Sequence, residues 1–262
     1  MPFRSHGAVR YFTFDILDEA RVAHGAFTRQ GGVSPSPWAE LNVGGTVGDD
    51  PGRVKINRQR VFEALHHPPE AMYDVWQVHS GEVVIAQAPR QPHVAHQKAD
   101  AILTNQPGVA LFMRFADCVP ILLYDPVRRV IGIAHAGWQG TLKGVARNAV
   151  QRMQQVFGSL PADILAAIGP SIAAHHYPVG AEVAAQAAQV FGADAPALLN
   201  AVEGGVQFDL WAANRLLLEQ CGVSQIETAG ICTACHLEDW FSHRGEGGKT
   251  GRFGVLISLG KG

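Results

Sequence analysis

The chain has 262 residues, of which 47% are hydrophobic and 17% are charged. It can therefore bury a sizeable core, and its composition is not that of a disordered protein. Its 21 Lys and Arg residues nearly balance its 23 Asp and Glu residues, which gives no electrostatic reason to expect a nucleic-acid or membrane-surface partner. No apolar run approaches the roughly 18–20 residues of a membrane span, and the first residues lack a signal-peptide pattern. Four cysteines are too few for a disulfide scaffold, so we expect reduced thiols and a cytoplasmic protein.

In chain order, the strand-like stretches are 10–14, 75–78, 83–86, 109–115, 119–124, 130–134, 164–168 and 253–259. Helices are predicted from Pro51, capped by Asp50, to before Pro68, and over 139–157, 181–191 and 209–221. Strands and helices do not alternate strictly, which favours an α+β fold with helices covering mixed sheets. No linker or repeat divides the chain, so we predict a single domain, residues 1–262.

The sequence Asp125-Pro126-Val127-Arg128 separates two predicted strands, and its Asp-Pro start suits a type I turn. A hairpin that pairs Asp125 with Arg128 places Cys118 opposite His135, with Cβ atoms roughly 4.5–5.5 Å apart. A thiolate and an imidazole at that distance can share a metal or form a nucleophile and its base. The spacing leaves open the alternative of a buried cysteine beside a histidine that bonds only to backbone.

Two neighbouring features strengthen the prediction that Cys118 and His135 belong to a functional site. Ala136-Gly137-Trp138-Gln139-Gly140 forms a tight turn into the predicted 139–157 helix, and such junctions suit anions because backbone N–H groups are exposed there. The predicted strand 75–78 is followed by His79, a third candidate ligand. Two histidines and one cysteine leave the fourth position of a tetrahedral zinc open, as in catalytic sites. Spacing alone does not join His79 to the pair.

These residues lie in blocks that resemble a known family. The blocks include WQVH (76–79), ADAILTNQPG (99–108), ADCVPILLYDP (116–126), HAGWQG (135–140), IGPSI (168–172), CTAC (232–235) and FSHRGEGGKTGR (241–252). In this order, and over nearly the whole chain, they resemble the laccase-domain, YfiH-like proteins. That family is described as purine nucleoside phosphorylases and was formerly described as multicopper polyphenol oxidases.

The resemblance implies an α+β fold, a four-layer αββα sandwich with mixed sheets that is related to cysteine hydrolases. It also implies zinc-dependent phosphorolysis of adenosine, inosine and 5′-methylthioadenosine, with some adenosine deamination. The implied partners are a purine nucleoside and phosphate, with no nucleic acid, no membrane and an open oligomeric state. Copper is possible at the zinc site, because two histidines and a cysteine are also the ligands of blue-copper centres.

The family's metal site corresponds to His79, Cys118 and His135, which we take as both metal ligands and catalytic residues. Asp117 is a candidate general acid or base, or a group that orients a ligand. Arg244 is the first candidate for binding phosphate, since a guanidinium can hold it in a bidentate manner. The other candidates for the substrate pocket lie in matching blocks and are Asn42, Arg58 and Gln77.

Two other enzyme classes compete with this hypothesis. A copper polyphenol oxidase of the laccase type needs several His-x-His pairs, and this sequence contains none, although copper at the same site could support weak oxidase activity. A metal-free cysteine hydrolase acting on peptidoglycan precursors would use Cys118 as nucleophile and His135 as base. Bound zinc would block that thiolate, so metal content separates the two classes.

A haem-binding electron carrier is the non-enzyme alternative, because residues 232–236 spell C-x-x-C-H. Without a signal peptide this alternative is disfavoured. The sequence also departs from the family where a frequent Cys-Cys-Tyr-Glu run reads His175-His176-Tyr177-Pro178, and where Gln139 stands in place of Arg. We expect His175 and His176 to be solvated or to cap local structure.

Overall fold

The computed structural model describes residues 3–260, so the predicted domain of residues 1–262 extends two residues beyond this range at each end. Fifteen strands lie within the range: β1 (Phe3–His6), β2 (Val9–Phe12), β3 (Ala23–Phe27), β4 (Met72–Tyr73), β5 (Val83–Ile85), β6 (Ala101–Thr104), β7 (Ala110–Phe115), β8 (Val119–Asp125), β9 (Val130–Ala136), β10 (Leu165–Ile168), β11 (Pro178–Val179), β12 (Leu199–Val202), β13 (Gly205–Phe208), β14 (Gln225–Thr228) and β15 (Phe253–Ser258). The same range holds six α-helices: α1 (Asp15–Glu19), α2 (Pro51–Ala64), α3 (Trp138–Leu142), α4 (Val145–Phe157), α5 (Ala181–Phe191) and α6 (Leu210–Gln220).

Local capping signals set the bounds of three predicted helices, which are confirmed. The Asp50 side chain accepts a hydrogen bond from the backbone N–H of Arg53 at the start of α2. Asp209 does the same for the N–H of Ala212 at the start of α6, and α5 ends before Gly192. Each of the two aspartate caps accepts a hydrogen bond from a backbone N–H that has no partner within the helix. No helix in the described part of the chain has the length and apolar character needed to cross a membrane.

Two mixed six-stranded sheets form the centre of the molecule. Sheet I has the order β1-β2-β3-β15-β7-β4, and sheet II has the order β14-β10-β8-β9-β6-β5. In each sheet antiparallel pairs dominate, with parallel pairing at β4–β7 in sheet I and at β10–β14 and β5–β6 in sheet II. The strands β11, β13 and β12 form a small third sheet.

The alternation of side chains along the central strands produces three apolar layers, because successive residues point to opposite faces. Met113 and Val255 of sheet I pack with Leu122 and Ile133 of sheet II between the sheets. The outer face of sheet II packs against α4, α5 and α6, and the outer face of sheet I packs against α2. The result is the α+β four-layer αββα sandwich that the family resemblance implies.

The single helix predicted over 139–157 is wrong, because two helices occupy this segment. The helix α3 ends at Leu142, and α4 begins at Val145 after Gly144, whose φ is 71°. That left-handed conformation is one that glycine adopts without steric cost, and it commonly ends a helix. The apolar spacing continues across the break, so periodicity alone does not reveal it.

The register predicted for the hairpin is also wrong, by two residues. His135 pairs with Pro120, and Asp125 pairs with Val130 rather than with Arg128. The Asp125 carboxylate accepts the backbone N–H groups of Val127 and Arg128, which stabilises a longer turn. Because side chains alternate with a period of two, a shift of two residues keeps Cys118 and His135 on the same face of the sheet. They are diagonal neighbours and not directly opposite each other.

The predicted strand 75–78 is wrong as well, since the nearby strand β4 covers Met72–Tyr73 and only Trp76 makes an isolated bridge, to Lys98. Side chains provide other partners for this backbone: Arg114 donates to the carbonyl of Val75, and the N–H of Val78 donates to Asp100. The predicted strands do not include β1, β3, β4, β6 or β11 to β14. Most of these strands are short or carry mixed polarity.

Candidate metal centre and its cavity

His79, Cys118 and His135 come together where sheet II meets the start of α3. One potential ligand atom from each residue lies within 4.8 Å of the others, and Cys118 Sγ lies 3.9 Å from His79 Nε2. His135 is buried on β9, Cys118 is half-buried just before β8, and His79 is exposed on a loop. His79 has a φ of 56°, a conformation uncommon for residues other than glycine.

Gly137 provides the space in which the three side chains meet. A Cβ atom at this position would lie 2.7 Å from Cys118 Sγ and 3.2 Å from His79 Cδ2. Its φ of −73° is open to any residue, so the glycine is required by the close approach and not by its backbone conformation. The turn after β9 therefore allows the side chains from three separate segments to converge.

The Asp100 carboxylate orients His135 and His79, two of the three residues of the cluster. Its Oδ1 lies 2.9 Å from His135 Nδ1, which leaves Nε2 of that ring to face Cys118. Its Oδ2 accepts hydrogen bonds from the backbone N–H groups of Val78 and Ser80 and from the Ser80 hydroxyl, and these fix the residues on either side of His79. A carboxylate that holds the second nitrogen of a histidine is typical of metal centres.

The electrostatics of the cluster favour a thiolate. Burial alone would raise the pKa of Cys118, but the neighbouring His135 and His79 imidazoles outweigh it and lower the pKa to about 6. Burial would lower the pKa of His135, whereas the Cys118 thiolate and Asp100 raise it to about 9. A thiolate and imidazole nitrogens are ligands that zinc prefers, so the donor set and its spacing fit a zinc ion with three protein ligands.

The cluster lines a cavity of about 660 Å³, a volume typical of small-molecule sites. The aromatic rings of Trp76, Trp138 and Tyr177 line this cavity. Trp76 is 49% exposed, so part of its ring is accessible to a ligand. A flat heteroaromatic group could stack on such a surface.

Four arginines line the same cavity: Arg58, Arg114, Arg244 and Arg252. Arg114 is paired with the buried carboxylate of Asp74 at 2.8 Å. Within residues 3–260 the other three form no ion pair with a carboxylate. Burial, and next the charge of Arg114, lower the pKa of Arg58 to about 10, so this arginine stays charged at neutral pH. The cavity therefore has a positive excess suited to an anion.

Asp117 lines the cavity, but both of its carboxylate oxygens already accept hydrogen bonds. Oδ1 accepts hydrogen bonds from the hydroxyls of Thr233 and Ser242, and Oδ2 accepts from the backbone N–H of Arg244. These contacts tie the residue next to Cys118 to the segment that carries Arg244. Of the two roles predicted for Asp117, they favour orientation over proton transfer.

The other predicted pocket residues have different surroundings. Arg58 and Gln77 line the cavity, and the Gln77 amide bonds at both ends to the backbone of Arg114. Asn42 is fully buried beneath the cavity, where its Oδ1 accepts the N–H groups of Gly44 and Arg252. Arg244 is exposed at the rim, with its guanidinium 5.0 Å from the centroid of the Tyr177 ring.

A family model described as multi-copper polyphenol oxidoreductase laccase matches residues 23–260. The chain belongs to this family. Purine nucleoside phosphorylase of Deinococcus radiodurans is 40% identical over 238 residues, which cover 91% of this chain and 89% of that protein. Purine nucleoside phosphorylase YlmD of Bacillus subtilis is 37% identical over 247 residues, covering 91% and 88%.

Solved structures of family members share the fold. YlmD from Geobacillus stearothermophilus superposes with a TM-score of 0.92 at 32% identity, with 99% of each chain covered. The hypothetical protein YfiH of Bacillus licheniformis gives a TM-score of 0.90 at 33% identity, with 98% of this chain and 99% of that chain covered. The YfiH-like fold predicted from the family resemblance is confirmed.

Asp100, Trp76 and Arg252 belong to the site but are not among the residues that the sequence predicts for it. Asp100 stands in a block already matched to the family, directly before a strand, and a buried carboxylate there is a usable signal. Trp76 and Arg252 also stand in matched blocks, but neither residue type indicates a cavity by itself, and the cavity forms only through the packing of distant segments.

Proposed function

We propose that this protein is a zinc-dependent purine nucleoside phosphorylase that acts on adenosine, inosine and 5′-methylthioadenosine. One observation carries the proposal: a single cavity combines the His79, Cys118 and His135 cluster with three arginines that form no ion pair with a carboxylate among residues 3–260. The relatives named purine nucleoside phosphorylase support it at 35–40% identity. A zinc ion at this cluster would supply a Lewis acid for polarising a bound oxygen.

In the proposed reaction a phosphate oxygen bonds to C1′ of the ribose while the bond from C1′ to the purine nitrogen breaks. For adenosine and inosine the products are ribose 1-phosphate and the free base, which takes up a proton, whereas 5′-methylthioadenosine gives 5-methylthioribose 1-phosphate. The excess positive charge of Arg58, Arg244 and Arg252 is suited to holding phosphate beside the sugar. The faces of Trp76 and Tyr177 are suited to the purine.

The cavity supports phosphorolysis better than adenosine deamination. Zinc deaminases use a glutamate that is not a metal ligand to move protons, and no glutamate lines the described cavity. Asp117 is the nearest carboxylate to the cluster in sequence, and its oxygens already accept three hydrogen bonds.

A cysteine hydrolase is the second candidate, because Cys118, His135 and Asp100 are arranged as a nucleophile, a base and an orienting acid. The lowered pKa of Cys118 and the raised pKa of His135 would produce a thiolate and an imidazolium in the metal-free protein. Zinc bound at Cys118 would block this chemistry, so metal content distinguishes the candidates.

The test is to incubate the purified protein with inosine or adenosine, with and without phosphate, and to separate the products by chromatography. We expect base and ribose 1-phosphate only when phosphate is present. Cys118→Ala should abolish this activity and remove zinc from the cluster, whereas Cys221→Ser, a half-buried thiol at the end of α6, should retain both.

Full phosphorolysis by Cys118→Ala would contradict the proposal. Base released equally without phosphate would indicate hydrolysis, and inosine formed from adenosine would indicate deamination. Oxidation of a phenol, with copper bound and no nucleoside turned over, would instead favour the polyphenol oxidase hypothesis.

A further inference from the structure

A second group of metal-ligating side chains lies outside the cluster described above. It comprises His175, His176, Cys232 and Cys235, whose four candidate ligand atoms all lie within 4.8 Å of one another. We call it the second cluster. None of its members is shared with the His79, Cys118 and His135 cluster.

Two segments far apart in sequence meet to form the second cluster. A single 3-10 turn, Ala174–His176, carries the two histidines. The turn that carries the cysteines is closed by a hydrogen bond from the N–H of Cys235 to the carbonyl of Cys232. A β-bridge between Ser171 and Cys232 holds the two segments in register. Both histidines are exposed, as expected, but their rings also contact a pair of thiols.

The distances between the ligand atoms match those around one ion. His175 Nε2 lies 3.1 Å from Cys235 Sγ, and His176 Nδ1 lies 3.4 Å from Cys235 Sγ and 3.6 Å from Cys232 Sγ. With bonds of about 2.3 Å to sulfur and about 2.05 Å to nitrogen, a tetrahedral zinc places sulfur and nitrogen about 3.6 Å apart. Side chains already at this spacing need only small adjustments to bind the ion.

The local environment also suits a closed metal site. Cys232 is only 5% exposed, and its sulfur accepts a hydrogen bond from the backbone N–H of Ala173 at 3.4 Å, a contact that stabilises a thiolate. The other three side chains are exposed, so an ion can enter from solution. Four protein ligands from a Cys2His2 set complete a tetrahedron, which is typical of structural zinc and leaves no open position.

The haem alternative uses the same two cysteines with His236, and the structure directs His236 elsewhere. Its Nδ1 lies 3.2 Å from Glu238 Oε1, and it is not part of the second cluster. The histidines that face the thiols come from the other segment. The second cluster therefore combines the two cysteines of the C-x-x-C turn with His175 and His176, which lie in a different segment of the sequence.

The second cluster lies behind one wall of the cavity. Thr233, between the two cysteines, donates its hydroxyl to Asp117, and the N–H of Ile172 donates to the Asp117 carbonyl. Tyr177 follows His176 directly and lines the cavity. An ion held at the second cluster would join the segments that position Tyr177 and Asp117.

From these contacts we propose that His175, His176, Cys232 and Cys235 form a second, structural zinc site that links the 171–178 segment to the 231–235 turn. This site goes beyond the proposed function and does not depend on it. It takes a divalent ion with a preference for nitrogen and thiolate ligands, of which zinc is the foremost.

The experiment is to reconstitute metal-stripped, fully reduced protein with Co²⁺ and to follow its thiolate charge-transfer and tetrahedral d–d absorption. We expect about two equivalents in the wild-type protein and about one in Cys118→Ala, where only the second site is left. Cys235→Ser should also bind about one, the double variant Cys118→Ala/Cys235→Ser should bind none, and Cys221→Ser should keep about two.

Free thiols are counted in the same samples, so that a missing metal is not confused with cysteine oxidation. Cys118→Ala that is reduced and folded by circular dichroism but binds no cobalt would overturn the proposal. The same conclusion would follow if Cys235→Ser, whose side chain is exposed and unneeded for packing, still bound two equivalents. Zinc binding that raises the melting temperature of Cys118→Ala but not of the double variant would support it further.

Discussion

Asp100 shows how a single carboxylate can organise a site that it does not line. Its two oxygens have separate partners, the His135 ring on one side and the backbone beside His79 on the other. Hydrogen bonding to these donors, chiefly His135 and Ser80, overcomes burial and lowers the pKa of Asp100 to about 2. The carboxylate is therefore ionised throughout the range in which the protein would bind metal.

Replacing Asp100 with Asn should weaken zinc binding at the His79, Cys118 and His135 cluster by about 10- to 100-fold, the usual effect of removing an outer carboxylate from a ligating histidine. The reason is that Asn keeps the size of the side chain but loses the charge that supports His135. Competition with a chromophoric chelator measures the affinity.

The matched control is Asp125→Asn, since Asp125 is also fully buried and also accepts backbone N–H groups, but in the turn between β8 and β9. We expect that variant to keep the wild-type zinc affinity. Equal losses in both variants would indicate general destabilisation and contradict a specific role for Asp100.

At the scale of elements, the junction between β9 and α3 decides whether the cluster can form. The strand ends at Ala136, the helix begins at Trp138, and Gly137 between them is the N-cap of α3. The chain turns here directly beneath the Cys118 sulfur. A side chain at the cap would occupy the volume that the thiolate and the His79 ring now share.

Gly137→Ala should weaken zinc binding by about 5- to 150-fold, which corresponds to the roughly 1–3 kcal/mol cost of inserting a methyl group into packed surroundings. Gly180→Ala provides a close control. Gly180 is the N-cap of α5 with a φ of −70°, against −73° for Gly137, and an added Cβ there meets nothing within 4 Å.

Zinc affinity is measured for both variants by the same chelator competition. Unchanged zinc affinity in Gly137→Ala would show that Cys118 and His79 can move apart without cost. That result would contradict the requirement for glycine at this position. A loss in Gly180→Ala would instead attribute the effect to glycine caps in general.

At the scale of the whole molecule, a buried carboxylate joins segments that lie apart in the sequence. Asp74 is fully buried and contacts Arg90 at 2.7 Å, Arg114 at 2.8 Å and His96 at 3.1 Å. Burial would raise the pKa of Asp74, but Arg114 and then Arg90 outweigh it and hold the pKa below its usual value of 3.8. Folding therefore stabilises the ionised form.

Because the folded-state pKa is lower than the unfolded one, ionised Asp74 stabilises the protein above about pH 4, and this contribution is lost as the pH falls through the folded-state pKa. Asp74→Asn should therefore lower the free energy of unfolding by about 3–5 kcal/mol at pH 7. The difference from wild type should shrink below about pH 4.

Urea denaturation at several pH values provides the measurement, with the exposed Asp15→Asn as control. We expect that variant to stay within about 0.5 kcal/mol of wild type throughout. A difference for Asp74→Asn that is the same at pH 3.5 and pH 7 would contradict the assigned origin of the stability.

The elements differ in how far the sequence predicts them. Helices α2, α5 and α6 follow local signals, an aspartate cap or a terminal glycine, and their predicted bounds agree with the structure within a few residues. The hairpin register depends on the local contacts of Asp125, whereas the break at Gly144 depends on longer contacts. Lys143 donates to the carbonyl of His79, and Asn148 donates to the carbonyl of Gly81; both bonds reach from the α3–α4 junction to the loop that carries His79.

The sequence by itself determined the composition class, the α+β character and, through its family blocks, the identity of His79, Cys118 and His135 as one group. These properties depend on residue type and local order. Tertiary structure alone decided that Asp100 supports the cluster, that Asn42 lies beneath the cavity, and that His175 and His176 face Cys232 and Cys235. Such contacts join residues 35 to 210 positions apart, and packing rather than local spacing sets which of them meet.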